Sequence, residues 1–287
     1  MQQFLLGILF GVVSMTAYGV YDIYLSRSSK RLGSFRTSFW TLLISLLILM
    51  LPAAFLLNPK VLSPWIAVAV ALGACTSISG FLTYTKGLEV GSVSTIATVS
   101  SAWGAVTAVL GFLFLGEKLS PVQALYVALI VVGTVLVSLD IRSMRKSGIF
   151  KAYAGFWYAL ATVIGWGIFY VFVTYLTTTI GWFQAVFLLT PPSILLLLAF
   201  GAITRTEFKM QYTDIPLLVV CAVLGLLGFV AYSIGTTYSY ADIVAPITAA
   251  SPIVTVLLAV IFLKDKFQAS QVAGLMLVIA GLVLLSA

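Results

Sequence analysis

The chain has 287 residues, 62% of them hydrophobic and 8% charged, and its mean hydropathy is +1.16. A surface this apolar is incompatible with a water-soluble globular domain and marks a membrane protein. Fifteen Lys and Arg against eight Asp and Glu give a net charge of +7; histidine is absent and Cys75 and Cys221 are the only cysteines. The sequence therefore lacks the usual residues of a pH switch or a metal centre, and no metal or cofactor is expected.

A transmembrane helix needs about 20 mostly apolar residues. Ten such segments follow one another, at 4–25, 35–57, 63–85, 92–115, 121–139, 152–175, 182–203, 214–238, 241–263 and 269–286. Unbroken apolar runs such as Thr41 to Leu57 lack the alternation of a β-barrel strand, so the expected fold is all-α. The first segment has no basic leader or small-residue cleavage site and reads as a retained helix. Both cysteines fall inside predicted helices, where a small buried side chain explains them.

FLGEKLSPVQ at 114–123 returns as FLKDKFQASQ at 262–271, a shift of 148. The same shift aligns Tyr84–Ser138 with Tyr232–Ser286 without a gap and with sixteen identities in 55 positions, among them Val106-Thr107 with Val254-Thr255. It also carries Gly7 onto Gly155 and YGVY (Tyr18 to Tyr21) onto WGIF (Trp166 to Phe169). The chain divides into a first repeat at 1–139, a basic linker at 140–151 and a second repeat at 152–287. Each repeat holds five spans, and an odd number means that the second enters the membrane from the opposite side.

Charge placement agrees with that inversion. Loops after spans 1, 3, 5, 7 and 9 carry thirteen basic residues, from Arg27, Lys30, Arg31 and Arg36 to Lys264 and Lys266, while the other side has only Lys60 and Lys118. Lys and Arg collect on cytoplasmic loops, which places both termini outside. Topology thus accounts for the net charge, with membrane lipids as partners and no call for nucleic acid.

Polar and aromatic residues within the spans are the candidate site. Tyr18, Tyr21, Tyr84, Trp103, Trp166, Tyr170 and Tyr232 combine a ring face with a single donor, which suits a small amphipathic solute. Tyr24, Trp65, Tyr175 and Trp182, close to helix ends, fit interfacial anchors. Spans 4 and 9 carry helix-weakening residues, Gly104 in one and Pro246 and Pro252 in the other; these fit a bending, gating element and equally a static kink. Asp22, Lys86, Glu89 and Asp242 are coupling or rim charges. Asp22 is expected near a helix end beside Arg27 or Lys30, Glu89 beside Lys86, and Asp242 as a helix cap. No carboxylate is expected deep in the membrane.

YGVY and WGIF, the YTKGLEVGSVS end of span 3, the span 9 run APITAASPIVTVLLAVIFLKDKF and the repeated corner resemble the drug/metabolite transporter superfamily, specifically its ten-helix EamA-type members. The resemblance covers essentially the whole chain. It implies two inverted five-helix repeats around a central cavity, and carriage of amino acids, metabolites or drug-like compounds by alternating access, commonly as export from a prokaryotic cell. It also implies cytoplasmic termini, against the charge count, and does not choose between monomer and homodimer. An intramembrane lipid-modifying enzyme and a packing subunit are the alternatives. The enzyme finds no histidine, paired carboxylates or Ser/Lys dyad in mid-membrane, and for the transporter no phosphate-binding loop suggests ATP hydrolysis, so transport is expected to be secondary.

Overall fold

Gly33 and Gly181 stop the first and sixth spans at equivalent points, and both hold the same conformation, φ 87°, ψ 157° and φ 90°, ψ 153°. This region of backbone space is open essentially to glycine alone, so each residue ends one helix and starts the next without a linker. The computed structural model describes residues 2–58, 61–91, 93–116, 120–138, 149–263 and 269–286. Among them the regular elements are all helical: α1 (Gln2–Leu32), α2 (Ser34–Leu56), α3 (Pro64–Val90), α4 (Val93–Ser100), α5 (Trp103–Phe114), α6 (Pro121–Ser138), α7 (Ile149–Ile180), α8 (Trp182–Thr204), a 3-10 turn (Tyr212–Asp214), α9 (Ile215–Tyr238), α10 (Ala241–Ala249), α11 (Pro252–Leu263) and α12 (Ala269–Ser286).

Displaced by 148, α2 falls on α8 and α6 on α12 residue for residue, and the other elements fall on their counterparts within a few residues. Eight spans among the described residues are long and apolar enough to cross a membrane, and α6 and α12 supply two shorter apolar helices. The result is a ten-pass, all-α membrane protein made of two inverted five-pass repeats.

Two expectations about the spans change. The helices of spans 1, 3 and 6 (α1, α3 and α7) outrun their hydrophobic segments; α1 continues through Arg27 and Lys30 to Leu32. Hydropathy marks only the part in hydrocarbon, whereas Ser, Lys and Arg continue a helix until a glycine stops it. Spans 4 and 9 are not continuous. Span 4 breaks at Ser101-Ala102, between α4 and α5, and span 9 at Ala250-Ser251, between α10 and α11. At both breaks the hydrogen bonds tighten to three-residue spacing, from Gly104 N–H to Ser101 O and from Ser251 N–H to Thr248 O. Gly104 is thus the second residue of α5 and Pro252 the first of α11, where proline's missing N–H costs nothing; Pro246 lies inside α10. Most of the linker, 140–148, and the centres of the repeated corner, 117–119 and 264–268, lie outside the described residues; 149–151 already belongs to α7.

The repeats interlock by exchange. α1 lies along α9 and α3 along α7, each a helix of one repeat against a helix of the other, while α6 and α12 pair with each other. Small residues let backbones meet, the usual device where lipid is as apolar as the side chains. A Cβ on Gly165 would sit 2.7 Å from the Gly80 nitrogen, and one on Gly133 would sit 2.7 Å from the Gly274 oxygen.

Candidate functional site

Each YGVY/WGIF motif seats the broken helix of the other repeat. Gly19 lies against Val254 and Ser251 of span 9, and Thr255 Oγ1 donates to the Gly19 carbonyl at 3.0 Å. Gly167 lies against Val106 of span 4, and Thr107 Oγ1 donates to the Gly167 carbonyl at 3.0 Å. The repeated Val-Thr pairs and the repeated glycines are two sides of one contact, made twice. The aromatic residue just before each glycine is seated likewise: Tyr18 packs over Gly228 and Trp166 over Gly80, where any Cβ would overlap the ring.

Between the repeats these contacts leave a cavity of about 1010 Å³ of interatomic space, open mouth included. Spans 1, 2, 3, 4, 6, 7, 8 and 9 line it; α6 and α12 do not. In its wall Tyr84 Oη donates to Asp22 Oδ1 at 2.7 Å, with the Trp166 ring 4.7 Å from that of Tyr84. Trp103 stacks on Tyr170 at 4.1 Å and an interplanar angle of 20°. Tyr18 and Tyr170 share a hydrogen bond of 2.9 Å between hydroxyls. Wall hydroxyls such as Ser193 donate back to their own helix at 2.8 Å, but those of Thr41, Ser100 and Thr248 are buried with no hydrogen-bond partner. Ser100 and Thr248 are repeat-related and close α4 and approach the end of α10.

Six of the seven aromatic candidates line the cavity: Tyr18, Tyr21, Tyr84, Trp103, Trp166 and Tyr170. Tyr232 does not; it is fully buried behind them, its ring 4.5 Å from Tyr170 and its hydroxyl 3.1 Å from that of Thr174. Gly104 is where α5 meets α10: a Cβ there would lie 2.8 Å from the Ala245 oxygen.

Asp22 requires a correction. Because α1 runs ten residues past it, Asp22 is no rim residue paired with Arg27 or Lys30; it is buried, 4% exposed, and takes its hydrogen bond from Tyr84. A carboxylate does therefore lie deep in the bundle. Glu89 does pair with Lys86, at 2.7 Å, and also accepts from the Ser34 amide at 2.8 Å. Asp242 is fully buried in the first turn of α10, where the cap residue is Tyr240. Arg31, one of the loop cations, pairs with Asp214 at 2.7 Å. Sequence reasoning missed Phe81, Phe169, Phe229 and the hydroxyl wall, whose residue types are too common in membrane helices to stand out; repeat-related pairing of 81 with 229 and of 100 with 248 was the available signal.

Comparison with known proteins agrees with this architecture. A crystal structure of another protein superposes with a TM-score of 0.76 over 98% of this chain and 96% of that one at 14% identity, a likeness of fold. An uncharacterised protein of Methanocaldococcus jannaschii is 30% identical over 93 residues, which is 32% of this chain and 65% of that relative's length. The EamA-like transporter family model matches twice, at residues 5–139 and 153–287, one match for each repeat. The chain belongs to the EamA-like transporter family.

Proposed function

We propose that this protein is a secondary transporter that exports a small amphipathic organic solute by alternating access, with the two repeats, 1–139 and 152–287, exchanging conformations around the central cavity. The observation that carries this reading is the placement of both helix breaks, in spans 4 and 9, against the cavity walls. Ser100, Ser101 and Trp103 line it at one break and Thr248 and Ser251 at the other. A broken helix can swing one half while the other stays seated, and inverted repeats give the swing a mirror-image counterpart of similar energy.

The two crossings of spans 4 and 9 differ, as a carrier caught in one state requires. α5 packs closely on α10 through Gly104, whereas their counterparts α11 and α4 touch sparsely. In the proposed topology the tight crossing is on the side of the termini, which the basic residues put outside in a prokaryotic plasma membrane, and the loose one faces the cytoplasm.

Purified protein in proteoliposomes should show saturable solute flux and counterflow, which a channel or packing subunit lacks. Trp103→Ala and Trp166→Ala should each lower flux while the folded fraction is kept. Unchanged kinetics in both variants would make these rings packing residues and remove the cavity from the transport path.

A further inference from the structure

The cavity wall is chemically one-sided. It carries one carboxylate, Asp22, and among the described residues no Lys or Arg lines it. The rings of Tyr18, Tyr21, Tyr84, Trp103, Trp166 and Tyr170 line the same cavity. Aromatic faces are negative and attract cations within about 6 Å, most strongly in a water-poor site.

Helix ends are the remaining source of positive charge, and at the breaks they are opposed. α5 and α11 begin at the breaks, but α4 and α10 end there, so opposite dipole ends meet. Several of the break amides are already bonded: Ala102 N–H to Val99 O, Gly104 N–H to Ser101 O, Ile253 N–H to Ala250 O and Val254 N–H to Ser251 O, all at 3.0–3.2 Å. Pro252 has no N–H. An anion entering this cavity would meet a carboxylate and ring faces, with no Lys or Arg among the described lining residues to offset its charge, and burying it without a counter-charge is costly. A monocation would meet its counter-charge, and the unpartnered hydroxyls of Thr41, Ser100 and Thr248 can accept from its N–H groups.

We propose that the cavity selects organic monocations, the charge met by Asp22 and by the surrounding tyrosine and tryptophan faces, and rejects anions and neutral compounds of the same shape. This rests on the transport reading above and names the substrate class of that same cavity.

The test uses three compounds with one skeleton: benzyltrimethylammonium, N,N-dimethyl-2-phenylacetamide and phenylmethanesulfonate. Each is titrated by calorimetry into the full-length protein in detergent, and each radiolabelled compound is assayed for counterflow in proteoliposomes. The ammonium should bind at least about tenfold more tightly than the amide and the sulfonate. Asp22→Asn should weaken the ammonium about tenfold and leave the amide unchanged. If Asp22→Asn does not fold, Tyr170→Phe, which keeps a ring face, should retain the preference, and Tyr170→Leu should reduce it.

Equal or tighter binding of the amide or sulfonate overturns the proposal, as does a preference that survives in folded Asp22→Asn, or absence of binding by all three. Preferential binding of the ammonium without counterflow would leave the cation site standing and remove the transport reading. Counterflow of the sulfonate or amide without cation preference would do the reverse.

Discussion

Replacing Gly19 by alanine tests the contact on which the repeat symmetry is built. The new Cβ would stand 2.7 Å from the Ser251 oxygen and closer still to Val254 Cβ, whereas ordinary contact begins at 3.4 Å. Helix α1 must therefore retreat from α11 by roughly 1 Å, and overpacking of this kind costs about 1–3 kcal/mol. The retreat also stretches the 3.0 Å bond from Thr255 to the Gly19 carbonyl beyond hydrogen-bond reach, a further loss of about 1 kcal/mol. Alanine's better helix propensity returns about 1 kcal/mol. The net is a destabilisation of about 2 kcal/mol, read by circular dichroism in detergent as a melting temperature lower by about 4–8 °C. Gly11→Ala is the milder comparison, since its Cβ meets no backbone and only the Ile247 side chain, Cγ2 at 3.1 Å and Cβ at 3.4 Å, and it should melt above Gly19→Ala. Val254→Ala should not rescue Gly19→Ala, because the offending Cβ and the Ser251 oxygen both remain. If Gly19→Ala melts no lower than Gly11→Ala, the seating contact is not the constraint described here.

Tyr84→Phe keeps the ring against Trp166 but takes the hydroxyl from Asp22, and should cost about 2 kcal/mol in the same melting assay; an unchanged melting temperature would show that the carboxylate finds another donor. Gly33→Ala should destabilise by about 2 kcal/mol although a Cβ there meets nothing within 4 Å, because the cost is conformational, at φ 87° and ψ 157°; a neutral result would mean that the α1–α2 corner relaxes freely.

Much of this architecture is legible in the residues because a membrane helix leaves a long signal and a duplication leaves it twice. The shift of 148 that aligns Val106-Thr107 with Val254-Thr255 also aligns the helix bounds and the glycines those residues touch. The helix breaks were legible only as weakness. Gly104, Pro246 and Pro252 announce a bend, but the actual break at Ser101-Ala102 has no residue that forbids a helix; it is set by the seating of α5 on α10 and α7. The position of Asp22 was misjudged for a similar reason. Hydropathy ended the span at 25 because Arg27 and Lys30 follow, yet those polar residues extend the same helix, and depth is decided by packing against α3 and α9 rather than by distance along the chain.

The symmetry of the backbone makes the asymmetry of the chemistry readable. Under the shift of 148, Tyr18 corresponds to Trp166, Tyr84 to Tyr232 and Asp22 to Tyr170. Tyr84 reaches across to the carboxylate of Asp22, while Tyr232 meets a ring at the equivalent place and sends its hydroxyl one turn further along α7, to Thr174. In the second repeat the position is held by Tyr170, on which Trp103 of the first repeat stacks, and Tyr232 is drawn out of the cavity; in the first the position keeps a buried carboxylate beside open space. In the proposed transport cycle, two copies of one scaffold can share their helix breaks and glycine seats, because those would serve a motion that must be reversible. A binding site for a single solute would have no such need, and the cavity carboxylate stands in one repeat only.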